Sequence, residues 1–284
     1  MKELELSGFD LKGALRLISG ELKAAGIENA DNEARWICRD ILNLSGGDFI
    51  LNEKVIDEKS ARAIAGALSK RKTGFPLLYI LGRTKFCGFD FLVRENVLIP
   101  RNDTEILVEK AVGLIGERCA DVLDMCAGSG VIGISVKKLC PKASVSLLDI
   151  SDCAIELIRD NARLNGADVE IIKSDMFENL KGRYDFLLAN PPYIESEVLR
   201  TLDVFKYEPE LALDGSFDGL KFYRSISRNV RKYLKPDGIV ILEIGYDQAE
   251  SAGRLFEDFK NIKVIKDLNG NDRLILCSDG ELNV

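Results

Sequence analysis

The sequence predicts an α/β protein: an open, doubly wound sheet of seven strands, mostly parallel with an antiparallel hairpin at one edge, preceded by a small helical domain. Three observations predict it. From about residue 101 onward, short apolar runs alternate with helix-like stretches, the texture of parallel strands covered on both faces. The last two strand-like runs are joined by a stretch too short for a crossover helix, so they pair antiparallel. Residues 9–72 carry helical periodicity.

In chain order, Leu11, Leu15, Ile18 and Leu22 fall at helical spacing behind Asp10, an N-cap residue. A second helix follows Ala30, with Trp36, Ile37, Ile41 and Leu42 on its apolar face. A third covers 57–71, and its basic end at Lys70, Arg71 and Lys72 suits a helix C-terminus. Between Thr73 and Pro100, aromatic and β-branched residues mix with glycine, as expected of a hairpin. Strands are expected at 121–125, 144–150, 169–174, 184–189, 238–244, 262–267 and 273–278, and helices at 103–117, 131–139, 151–165, 218–234 and 247–258. The expected domains are 1–73, helical; 74–100, a hairpin linker; and 101–284, the α/β sheet.

At 284 residues, with 46% hydrophobic and 30% charged residues, the composition is that of a globular protein. It contains no histidine. That absence excludes a Ser-His-Asp triad, a Cys-His dyad, His-ligated zinc and imidazole base catalysis. The chemistry must rest on carboxylates, amides, backbone groups, Tyr or Lys, or on a cofactor. The seven cysteines include no C-x-x-C pair, so free thiols in a reducing compartment and no metal site are expected. The N-terminus shows no apolar signal region and no stretch approaches membrane length, so a cytoplasmic location is expected. Net charge is −7, and residues 1–75 are neutral, so the excess acid lies downstream. Such a balance disfavours phosphate-driven binding to nucleic acid.

After the first expected strand comes Asp124-Met-Cys-Ala-Gly128-Ser-Gly130-Val-Ile-Gly133. Residues 128–133 match G-x-G-x-x-G, and Asp149 follows at the end of the next strand, the Rossmann-like dinucleotide fingerprint. The same features suit S-adenosylmethionine. Two details favour it. The first glycine comes four residues after Asp124 rather than directly at the strand end. Asp124 also offers a carboxylate to a cationic ligand. The expected cofactor-binding residues in this reading are Asp124, Gly128, Gly130, Asp149, Asp175 and Met176. Asp149 accepts from the ribose hydroxyls; Asp175 accepts from an adenine amino group, and Met176 packs on the ring. Cys126 as a nucleophile has no histidine to activate it.

Asn190-Pro191-Pro192-Tyr193 follows the fourth strand. Two prolines end the ladder and make a rigid turn. The turn fixes the Asn190 side-chain oxygen and the Pro191 carbonyl as acceptors for a planar –NH₂ group, with Tyr193 over its face. Asn190, Pro191 and Tyr193 are the expected catalytic residues, and Asn190 to Tyr193, Pro192 included, the expected substrate contacts.

With these residues, the sequence resembles the HemK/PrmC-type peptide chain release factor N5-glutamine methyltransferases. The resemblance extends over Gly74-Phe-Pro-Leu-Leu-Tyr79, Phe86-Cys-Gly88-Phe-Asp-Phe91, Val97-Leu-Ile-Pro100-Arg101-Asn-Asp-Thr104-Glu105, Glu208-Pro209, Glu243-Ile-Gly245 and Asp267-Leu-Asn-Gly270-Asn-Asp-Arg273. It implies a class I methyltransferase domain behind a helical substrate-recognition domain, with Cys126, Ala127, Gly128, Ser129 and Gly130 as the cofactor loop and Asn190 touching both cofactor and substrate. It also implies S-adenosyl-L-methionine as cofactor, S-adenosyl-L-homocysteine as product, and release factors as protein substrates, methylated on the glutamine of their Gly-Gly-Gln motif. Three positions depart from the family pattern: Cys126 stands for glycine, Met176 for an aromatic residue, and Asn102 for the proline after Arg101. Asn-Pro-Pro-Tyr also occurs in nucleic-acid base methyltransferases, so that activity stays open. A hydride-transferring dehydrogenase and a non-catalytic cofactor-binding interaction protein stay open as well.

Overall fold

A computed structural model of the chain describes residues 6–51 and 54–282; the expected domain limits also take in residues 1–5, 52, 53, 283 and 284, which lie outside the described residues. Two compact units, Met1–Gly82 and Arg83–Val284, make up the chain. The stretch 74–100 is divided between them.

The first unit holds α1 (Leu11–Ala24), α2 (Ala30–Ile41), α3 (Gly46–Leu51), α4 (Glu58–Arg71) and α5 (Leu77–Leu81). Asp10 caps α1 by accepting from the Gly13 N–H at 2.7 Å, and Asp57 caps α4 by accepting from Ser60 at 2.7 Å. Leu11, Ile18, Leu22, Ile37, Ile64 and Leu68 form its core. Trp36 is instead 39% exposed. Successive helical residues lie 100° apart, and Ile37 takes the inward position. A buried Glu33–Arg71 pair, bonded at 2.7 and 3.0 Å, joins α2 to α4.

The second unit opens with a hairpin, β1 (Arg83–Phe86) and β2 (Phe89–Leu92). It continues with α6 (Glu105–Ile115), β3 (Asp121–Met125), α7 (Val131–Leu139), β4 (Ser144–Asp149), α8 (Asp152–Asn165), β5 (Glu170–Lys173), β6 (Tyr184–Ala189), α9 (Ser196–Leu199), α10 (Lys221–Asn229), β7 (Leu234–Glu243), α11 (Ala249–Leu255), β8 (Asn261–Lys266) and β9 (Asp272–Ser278). The strands form one sheet in the order β5-β4-β3-β6-β7-β9-β8. The first five are parallel; β9 runs antiparallel between β7 and the edge strand β8. Alternate residues feed two cores: Val122, Leu147, Leu188 and Ile241 on one face, Leu123, Leu148, Leu187 and Leu242 on the other. The expected helix at 103–117 begins as a 3-10 turn, Asn102–Thr104.

Strand order reverses at β3, with β4 on one side and β6 on the other. Ligands of such sheets gather outside the strand carboxyl ends at that reversal. The register pairs Met125 with Ala189, so the loop after β3 and the turn after β6 emerge side by side.

Candidate functional site

A cleft opens there, at the place where ligands of such sheets bind. Its lining includes Cys126, Ala127, Gly128, Ser129, Asp149, Asp175, Met176, Asn190 and Pro192. Asp124, Gly130, Pro191 and Tyr193 lie outside that lining. Asp124 is fully buried, and the Tyr193 side chain packs against the core beneath β6 and β7.

The glycine loop is shaped by close packing. Gly130 sits at φ +80°, and a Cβ there would meet Ile134 at 3.0 Å and Leu147 at 3.1 Å. Gly133 leaves room for Asp124, whose Oδ2 accepts from the Gly133 N–H at 2.8 Å. At Gly128, φ is +56° and a Cβ would find only Val97 within 4 Å, so the backbone faces open cleft. Asp149 Oδ2 accepts from the Gly128 N–H at 2.8 Å while Oδ1 accepts from Ser151 at 2.9 Å. Cys126 and Met176 adopt φ +59° and +45°; their sulfurs lie 3.9 Å apart. Left-handed backbone at a non-glycine residue costs on the order of 1–2 kcal/mol.

The carboxyls here lack positive charge. Burial pushes Asp124 up to about 7, with a contribution from Asp149. Asp149 is raised by burial too. Oδ1 of Asp124 is buried without a hydrogen-bond partner among the described residues. Arg101 is the only lining residue with a full positive charge, and Glu208 Oε1 accepts from it at 2.6 Å. Such a cleft suits a cationic ligand and is poorly furnished for a pyrophosphate. The Cys126 thiol is driven well above its ordinary range by burial and by Asp149, Asp124 and Asp175. It is therefore no thiolate nucleophile.

Two strand ends build the turn at Asn190. Asn190 Nδ2 donates to Thr104 Oγ1 at 3.2 Å, and that hydroxyl donates to Glu243 Oε2 at 2.7 Å. Past the turn, the Tyr193 carbonyl accepts from Gln248 Nε2 at 2.9 Å, and Gln248 Oε1 accepts from the Gly245 N–H at 3.0 Å. Gly219, at φ +70°, is pressed against the same carbonyl. Burial raises the Tyr193 hydroxyl to about 12, Glu243 contributing, so it stays protonated at neutral pH.

Four residues that organise the site were not among those singled out for it from sequence. Asn161 is wholly buried; it accepts from the Leu92 N–H at 2.7 Å and donates to Ser129 O at 2.9 Å, tying the hairpin to the glycine loop. Glu208 is buried and accepts from the Ile99 N–H at 3.0 Å as well as from Arg101. Thr104, which also lines the cleft, links Asn190 to Glu243. The available signal for Asn161 and Glu243 was a polar residue inside an apolar stripe.

Fold and site together define a methyltransferase of the seven-stranded class. Comparison with known proteins agrees: residues 102–205 match the model of the Methyltransferase small domain, and residues 13–82 that of the PrmC N-terminal domain. The release factor glutamine methyltransferase of Geobacter sulfurreducens is 39% identical, the match spanning 90% of this chain and 92% of that one. That of Agrobacterium fabrum is 37% identical over 89% and 92%. A methyltransferase structure from Pyrococcus furiosus shares the fold at TM-score 0.53 and 16% identity, covering 68% of this chain and 90% of that one. The chain belongs to the release factor glutamine methyltransferase family.

Proposed function

We propose that this chain transfers a methyl group from S-adenosylmethionine to the N5 side-chain amide of the Gly-Gly-Gln glutamine in peptide chain release factors. The observation that carries this reading is the orientation of Asn190. Its amino group is engaged by Thr104, which leaves the Oδ1 acceptor for a substrate –NH₂.

The cleft fits the cofactor: glycine-bared backbone, Asp149 acceptors for ribose hydroxyls, and buried carboxyls wanting a cation. Residues 126–130 would hold it, with Asp149 at the ribose, Asp175 and Met176 at the adenine, and Asp124 supplying charge. When bound, it contributes an electrophilic methyl group on a sulfonium. Asn190 Oδ1 and the Pro191 carbonyl accept from the glutamine amide, with Pro192 and Tyr193 keeping the turn rigid. An amide nitrogen is a poor nucleophile because its lone pair is delocalised. Acceptors bonded to it strengthen as positive charge grows there, so they favour the transition state over the ground state. Holding the two reactants in line is worth on the order of 7–11 kcal/mol. The methylated nitrogen would then lose its surplus proton to water, so none of this requires imidazole.

In this reading the helical unit grips the release factor, no nucleic acid is bound directly, and the enzyme works in the cytoplasm. Among the described residues no helix is long and apolar enough to cross a membrane. The test is incubation with purified release factors and isotopically labelled cofactor, followed by peptide mapping. Label on the Gly-Gly-Gln glutamine is expected; label only on nucleic acid supplied in parallel would overturn the reading.

A further inference from the structure

A buried acid lies behind the Asn190 turn, with no role in binding or transfer as described above. We propose that Thr104 and Glu243 are positioning residues for methyl transfer: they fix which end of the Asn190 side-chain amide faces the substrate. This rests on the functional reading just given and deepens it.

Donors and acceptors decide the orientation. An asparagine amide is nearly symmetric in shape, so packing alone does not choose between its oxygen and its nitrogen. Hydrogen-bond polarity does. Glu243, at the end of β7, is 1% exposed, and Thr104 is 3% exposed. An ionised carboxylate has no proton and can only accept. The single proton of Thr104 is therefore committed to Glu243 Oε2, at 2.7 Å. With that proton spent, Thr104 Oγ1 offers Asn190 only a lone pair. Asn190 must present Nδ2 to it, as found at 3.2 Å. Oδ1 is left as the acceptor on the cleft side. Turned over, Asn190 would offer a substrate amide a donor where an acceptor is required, and would set its oxygen against the lone pair of Thr104 Oγ1.

The acid has its own surroundings. Arg273 of β9 stabilises its charge, whereas Asp103 beside Thr104 opposes it. Tyr193 and Tyr223 also lie close enough to feel it. Arg273 is held in turn by Asp267 at 3.0 Å and Asp103 at 3.3 Å. Burial raises Glu243 to about 7. Its protonation hands the chain a second donor and releases the constraint on Thr104. The β6–β7 register, Ala189 beside Leu242, is what sets the acid next to the turn.

The test uses the full chain with Thr104→Val, Thr104→Ser and Glu243→Gln. Valine keeps the shape and removes the hydroxyl; serine restores it. Three readouts are taken: S-adenosylhomocysteine binding by calorimetry, kcat and KM for release factor, and the Asn190 side-chain amide signals by NMR, assigned from their absence in Asn190→Ala. Thr104→Val is expected to bind S-adenosylhomocysteine normally, shift the Asn190 signals, and lose about 10- to 100-fold in kcat, as small misplacements of reacting groups do. KM should change far less. Thr104→Ser should recover most of that loss, and Glu243→Gln should abolish the movement of the Asn190 signals with pH near 7. Unmoved Asn190 signals in Thr104→Val, or serine falling as far as valine, would overturn the proposal. Should the wild type fail to methylate release factor, the functional reading falls, while the amide signals still decide the orientation.

Discussion

Gly133→Ala tests how tightly the glycine loop is built around Asp124. The added Cβ would lie 2.8 Å from Leu147 Cγ and 3.0 Å from both Cβ and Oδ2 of Asp124. Leu147 belongs to the central sheet and Asp124 is fully buried, so neither can swing away. Overpacking of this kind costs about 1–3 kcal/mol. Because Gly133 lies within α7, alanine recovers about 0.5–1 kcal/mol of helix preference. The net loss is about 0–2.5 kcal/mol, or up to about 10 °C in Tm for a unit of this size. Displacing Asp124 should also weaken S-adenosylhomocysteine binding by about ten- to a hundredfold, the worth of one hydrogen bond to a charged group. Gly113→Ala in α6 is the control: nothing lies within 4 Å of its Cβ, so it should gain about 0.5–1 kcal/mol. Calorimetric melting and ligand titration of both variants check the reasoning. Equal stabilities for the two, or unimpaired binding by Gly133→Ala, would refute it.

Further outcomes follow from the same geometry. Gly219→Ala should distort the Asn190 turn, because its Cβ would collide with the Tyr193 carbonyl and with Gln248; kcat should fall far more than cofactor affinity, as paired kinetics and calorimetry would reveal. Asp124 has a folded pKa of about 7 against an ordinary 3.8, so between those values the folded state holds a proton that the unfolded state has released. Its contribution to stability is full below about pH 4 and is lost as pH rises through 7; Asp124→Asn should flatten that part of a denaturant-midpoint profile, and an unchanged slope would contradict the assignment. Cys126 should resist iodoacetamide at pH 8 while exposed Cys119 and Cys153 react, which peptide mass mapping can follow.

The sheet was legible because its strands are short apolar runs that need no distant partner to be recognised. The turn at Asn190 was legible because two prolines rule out a continued ladder. What supports that turn was not. Thr104 and Glu243 are 139 residues apart in sequence, and nothing local to either announces the pairing. Asn161 reads as a polar interruption on the buried face of α8, and only the folded chain shows it bonded to Leu92 and Ser129. The short helices α3 and α9 and the 3-10 turns at Asp203–Lys206 and Glu210–Ala212 carry too few residues for periodicity to emerge. Trp36 failed for another reason: the buried face of α2 is centred on Ala34, Ile37 and Cys38, which leaves Trp36 at its margin.

The central claim is that Asn190 directs the substrate amide rather than holding the cofactor in place. The most direct measurement is single-turnover methyl transfer to release factor by Asn190→Ala, alongside S-adenosylhomocysteine affinity for the same preparation. Transfer is expected to fall to background with cofactor affinity within a few-fold of the wild type, since the loop from Cys126 to Gly130 and Asp149 is untouched. Wild-type transfer by that variant, or loss of cofactor binding as complete as the loss of transfer, would contradict it.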